Sequence, residues 1–130
     1  MPVSGHFPEA DHEALTMNQP RLLDSSLFAL IRNEDIAGFN REKPKDASID
    51  FRGGDFRGLD LRDLDPSGVD FRDAYFRAAD LRGLDLRDVP LEGASLAHAQ
   101  ISGTWFPAEL SADEILMSVK YGTRMRYRTR

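Results

Sequence analysis

The sequence predicts an all-β solenoid, a chain that turns four corners every twenty residues and stacks its coils into a short tower with α-helical caps at both ends. Three observations predict it. A large apolar residue returns at every fifth position from Phe51 to Phe106, broken only by Pro66. Gly or Asp repeatedly follows two places later, as at Gly53, Gly58, Asp63 and Gly68. The positions on either side of the apolar residue are mostly charged, so each apolar residue stands alone between outward-facing neighbours.

A period of five excludes a continuous strand or helix. On a strand the apolar side would change face with every repeat, because five is odd. On a helix the repeated residue would be scattered around the circumference. A two-residue extended segment followed by a corner satisfies the pattern. The apolar centre and the residue two before it then both point inward. From Ile49 the chain divides into IDFRG, GDFRG, LDLRD, LDPSG, VDFRD, AYFRA, ADLRG, LDLRD, VPLEG, ASLAH, AQISG and TWFPA. Its glycines close pentads where a corner may require positive φ, and Asp63, Asp73 and Asp88 tolerate such corners better than most residues. Four corners make a coil of twenty residues, so the twelve pentads make three coils stacked at the ~4.8 Å strand spacing.

These pentads resemble the pentapeptide-repeat family, whose motif is A(D/N)LXX. ADLRG at 79–83 matches in full, LDLRD occurs twice, and the resemblance covers 49–108. It implies a right-handed quadrilateral β-helix of three coils. The chain departs from the family in placing Leu, Ile or Val where Ala is usual, with Gly54 as an offset, and in Pro66 as a centre.

The flanks read as caps. Residues 1–20 have no periodicity and are expected to form a mobile leader. Residues 21–48 carry Leu27, Leu30 and Ile31 at helical spacing, then Ile36 and Phe39, which predicts a short helical pair. Asp24 or Ser25 is placed to cap the first helix and Asp35 the second. In 109–130, Ser111 to Glu114 has the spacing of a capping box, opening a helix through about Tyr121 that Gly122 ends. The tail then offers Arg124, Arg126, Arg128 and Arg130 on one side of an extended chain, suited to phosphate, a lipid headgroup or an acidic protein surface, or to the Asp columns of a tower.

The net charge of −5 suits a soluble protein and argues against general nucleic-acid binding. Without cysteine there are neither disulfides nor thiolate chemistry. The N-terminus lacks a secretory pattern and no apolar run reaches the ~20 residues of a membrane span, so a cytoplasmic protein is expected. No catalytic constellation stands out. His6, His12 and His98 are far apart in sequence, no GxSxG pattern occurs, and the regular Asp residues suit bonds to local backbone N–H groups. No metal, cofactor or catalytic residue is expected.

The outer surface is the candidate for function. Stacking puts Asp50, Asp60, Asp70 and Asp80 in acidic columns, with Arg52, Arg57, Arg72 and Arg77 in basic columns beside them. Tyr75 and Trp105 point outward as candidate anchors. The third coil, 89–108, keeps Glu92 as its one formal charge, which calls for a cover: either the chain's own C-terminal segment or another molecule. A non-enzymatic scaffold or regulatory protein with a protein partner is the expectation, together with pairing of two copies through an end of the tower. The resemblance also implies an alternative, mimicry of duplex DNA toward a type II topoisomerase such as DNA gyrase. The eleven acids of the repeat section face seven Arg, which would partly cancel their field.

Overall fold

The computed structural model describes residues 19–128. All but the last two residues of the expected leader therefore lie outside the described residues, as does Arg130. Five regular elements occur: helices α1 (Ser26–Arg32) and α2 (Ile36–Glu42), strands β1 (Ile49–Asp50) and β2 (Val69–Asp70), and helix α3 (Ala112–Tyr121).

The pairing nevertheless recurs at a fixed offset of twenty residues. β1 and β2 are parallel, with Ile49 opposite Val69 and Asp50 opposite Asp70. The same offset of twenty recurs in the parallel bridges Asp55 to Tyr75 to Ser95, Asp60 to Asp80 to Gln100, and Asp85 to Trp105. Centres of one coil donate to the next: Phe51 N–H to Asp70 O, Phe56 to Tyr75 O, Leu61 to Asp80 O, and on through Leu86 to Trp105 O. The named strands are only two residues long because a corner follows each one.

Each corner is a four-residue turn in which the N–H three places after the centre returns to the centre's carbonyl, as in Gly54 to Phe51 and Leu84 to Leu81. The third residue of the turn has positive φ, 66° at Gly53 and 78° at Gly83. That geometry favours glycine and tolerates Asp, which accounts for Asp63 (69°) and Asp73 (61°). Three corners differ from expectation. Asp88 is not among the positive-φ residues, whereas Ala78 and His98, which carry no turn signal, turn through 58° and 57°.

Both inward positions are filled as the spacing predicts, with Phe51, Phe56, Leu61, Phe71, Phe76, Leu81, Leu86, Leu91 and Leu96 all buried. Their phenylalanines stack along the axis; the Phe56 and Phe76 centroids are 5.4 Å apart at 20°. Gly54 is an offset with a visible cause. A Cβ there would lie 2.5 Å from Leu23 Cδ1 and 2.8 Å from Phe56 Cε2, so the N-terminal segment occupies the space of the missing side chain.

Helices α1 and α2 close the base. Ser25 and Asp35 cap them, accepting from Phe28 N–H and Gly38 N–H. Ile31 and Phe39 are fully buried beneath the first coil, and Phe28 packs edge-on against Phe51 and Phe56. Polar side chains meet the open backbone of that coil: Glu34 Oε2 accepts from Asp60 N–H at 3.0 Å, and Asn40 Oδ1 from Asp65 N–H at 2.8 Å.

At the upper end the chain's own C-terminal segment covers the first two sides of the third coil. Ser111 caps α3 by accepting from Glu114 N–H, and Gly122 ends it at φ 72°. His98 N–H donates to Val119 O, and Leu96 N–H to Ser118 Oγ. The chain then returns as an extended strap. Met125, 1% exposed, exchanges backbone bonds with Gly93 and Ala94, and Tyr127 Oη accepts from Leu91 N–H. The expected reciprocal half of the capping box does not form. Glu114 instead turns to the strap, accepting from Arg126 N–H at 2.9 Å and pairing with its guanidinium.

Candidate interaction surface

The outer wall is built from one repeated unit. Wherever Asp precedes the centre and Arg follows it, the two side chains lock. Asp55 Oδ1 accepts from Arg57 backbone N–H at 3.1 Å and from Arg57 Nε at 2.8 Å, while Oδ2 accepts from Nη2 at 2.9 Å. The same clamp joins Asp50 to Arg52, Asp60 to Arg62, Asp70 to Arg72, Asp80 to Arg82 and Asp85 to Arg87. The turn brings residues two apart onto one carboxylate, a bidentate geometry that suits a guanidinium fork. Arg62 also reaches Asp80 of the next coil at 3.2 Å. Where Ser67 stands in place of Arg, Asp65 takes Lys43 from the base at 3.4 Å.

The clamps hold these carboxylates in the charged form. Hydrogen bonds from the Arg62 and Arg87 side chains lower Asp60 and Asp85 to about 2. Side-chain bonds from Arg52, Arg57 and Arg82 likewise hold Asp50, Asp55 and Asp80 below the usual carboxylate range. At Asp70, burial opposes the shift, but the bonds from Arg72 prevail. A carboxylate depressed in the folded state binds fewer protons there than when unfolded, so its stabilisation is lost as pH falls through the folded value. The urea midpoint should therefore hold steady from pH 7 to about 5 and then fall between about pH 4 and pH 2. A midpoint unchanged down to pH 2 would contradict the clamps' contribution. Exposure keeps each contribution small.

The candidate residues do not form one surface. Asp50, Arg52, Asp70 and Arg72 lie on the first side of the coil, Arg57, Tyr75 and Arg77 on the second, Asp60 and Asp80 on the third, and Trp105 on the fourth. Trp105 is 58% exposed and lies over the Arg87 guanidinium, 4.7 Å from its carbon to the ring centroid. On the second side Tyr75 replaces the Asp of the clamp, so Arg77 joins none of the ion pairs among the described residues. The described tail arginines, Arg124, Arg126 and Arg128, reach back to the chain rather than outward together. Arg124 donates to Tyr75 Oη at 2.7 Å and pairs with Asp73 at 3.5 Å, Arg126 pairs with Glu114, and Arg128 bonds Ala108 O. The D-x-R spacing held the signal for the clamps; reading the columns separately conceals it.

A polar cleft of about 730 Å³ separates the start of α2 from the third side, lined by Glu34, Asp35, Asn40, Asp60, Arg62 and Arg82 among others. Both arginines are already clamped. Among the described residues no group of three or more His, Asp or Glu is placed to hold a metal ion. His98 serves a corner, while His6 and His12 lie outside the described residues. No helix among the described residues is long and apolar enough to cross a membrane.

Comparison with known proteins agrees with the coil. The family model for pentapeptide repeats matches residues 55–93 and 74–106, with eight copies. No curated protein and no solved structure matches significantly. The eight copies fall within the observed coils and make residues 55–106 a run of pentapeptide repeats.

Proposed function

We propose that the protein is a non-enzymatic interaction module, a three-coil right-handed quadrilateral β-helix with helical caps whose second side binds an acidic surface on a protein partner. Pentapeptide-repeat proteins generally mediate interactions and do not catalyse reactions. The observation that carries the reading is the break in the clamp at Tyr75. Around the tower most outward Asp residues pair with the Arg two places on, whereas Arg77 joins no ion pair among the described residues and stands two places from Tyr75, whose ring lies under the Arg124 guanidinium. Arg and Tyr are the residue types on which interface energy concentrates. The clamped side chains around them are already ordered, which lowers the entropy cost of binding.

The same clamps weigh against mimicry of duplex DNA, which calls for an uninterrupted anionic surface. A guanidinium lies against each of Asp50, Asp55, Asp60, Asp70, Asp80 and Asp85. The test is cross-linking of the tagged protein in its cell of origin. Capture of a defined protein should fall at least tenfold in Arg77→Glu, persist in Trp105→Ala on the opposite side, and survive excess duplex DNA. Displacement by DNA would instead favour the topoisomerase-directed mimic.

A further inference from the structure

The upper end of the tower is closed over its first and second sides. The strap runs over the first side and onto the start of the second, bonding Leu91, Gly93, Ala94 and Ser95. Helix α3 crosses the middle, from the end of the fourth side to His98 at the end of the second. The third side, 99–103, has no such cover. In the coils beneath it, Leu61 donates to Asp80 O, Leu81 to Gln100 O and Gly83 to Ser102 O. Among the described residues the corresponding N–H groups of Ile101 and Gly103 have no acceptor, and Ser102 and Gly103 are exposed.

The helix turns Leu116 to this edge, with Asp113 and Lys120 on the same flank. Glu114 and Ser118 face the strap, where they bond Arg126 and Thr123, and Ile115 and Val119 pack on the core. At 100° per residue, Leu116 then lies on the opposite side of the helix, toward the third side. It is 55% exposed. One flank of α3 is thus a groove filled by the chain's own extended strap. The other has the unbonded N–H groups of Ile101 and Gly103 along one side and Leu116 along the other, with no described residue bonded to those donors.

We infer that this open edge takes an extended peptide segment of another protein, which adds as a strand to the third side and packs an apolar side chain on Leu116. The strap shows that the edge accepts an extended segment: Ser95 and Arg124 form an antiparallel bridge, and Met125 supplies the buried side chain. The free N–H groups specify a backbone partner, because a strand edge pairs most readily with another strand. The third coil, with Glu92 as its one formal charge, favours an uncharged segment. This site is separate from the second side, so either can fail without the other.

The full chain would be panned against a phage-displayed library of random dodecapeptides. Enriched apolar sequences should slow amide exchange at Ile101 and Gly103, and should bind at least tenfold more weakly to Leu116→Asp. Ile101→Pro, which removes one donor, should weaken them similarly; Pro66 already occupies an equivalent centre. The exposed Leu116 variant keeps the test valid should Ile101→Pro disturb the coil. The inference is overturned if no sequence is enriched, if enriched peptides protect other amides, or if the unliganded protein is a dimer that Leu116→Asp dissociates.

Discussion

Replacing Phe56 with Ala should cost about 3–5 kcal/mol, the range for deleting a buried aromatic ring. Phe56 is fully buried and its ring meets four others, those of Phe28, Phe51, Phe71 and Phe76, with centroids 5.2–5.6 Å away. Those neighbours come from the cap, the same coil and the coil above, so the cavity would loosen the contact between all three. A chain this size has roughly 5–15 kcal/mol of stability, and the loss would be a large share of it. Phe56→Leu should cost only roughly 1–1.5 kcal/mol, because Leu holds the same inward position at Leu61, Leu81 and Leu86. Urea unfolding of the two variants measures the difference. A cost below about 1 kcal/mol for the Ala variant would contradict the packing described.

Ending the chain at Tyr121 should be comparably damaging, by about 3 kcal/mol or more. The deletion removes Met125 from the core and the left-handed Gly122 from the end of α3. It also leaves Leu91 N–H, Gly93 N–H and Ala94 O without their partners. The charges of the tail matter far less. Changing Arg124, Arg126 and Arg128 together to Gln should lower the urea midpoint far less than the truncation does, since exposed ion pairs contribute little. A truncated chain as stable as the full one would show that the strap does not hold the third coil.

Much of this architecture is legible in the sequence because a corner constrains residue type. Phe51, Phe56 and Leu61 announce the inward positions, and Gly53 and Gly58 the turns. Ser25, Asp35, Ser111 and Gly122 mark helix ends, because orphan backbone groups need specific partners. What depends on distant side chains is hidden. Glu114 has the spacing of a capping box, yet Arg126, twelve residues on, takes its carboxylate. The low charge of the third coil shows that a cover is needed without revealing which segment supplies it. Ala78 and His98 carry no turn signal, and their positive φ follows only from their place in the coil. The candidate surface was legible residue by residue but not as a whole, because Tyr75 and Trp105 fall on opposite sides of a coil whose columns the sequence lists one at a time.

Everything functional here rests on a chain that counts in twenties and is closed over by its own ends. Amide hydrogen exchange of the full chain tests that most directly. Protection should recur with the pentads at Phe51, Phe56, Leu61, Phe71, Phe76, Leu81 and Leu86, each of which donates to the coil above. It should continue at Gly93, Leu96 and His98 beneath the strap and α3, then drop at Ile101 and Gly103. Rapid exchange throughout 51–98, or protection at Ile101 and Gly103 equal to that at Leu81 and Gly83, would contradict the account.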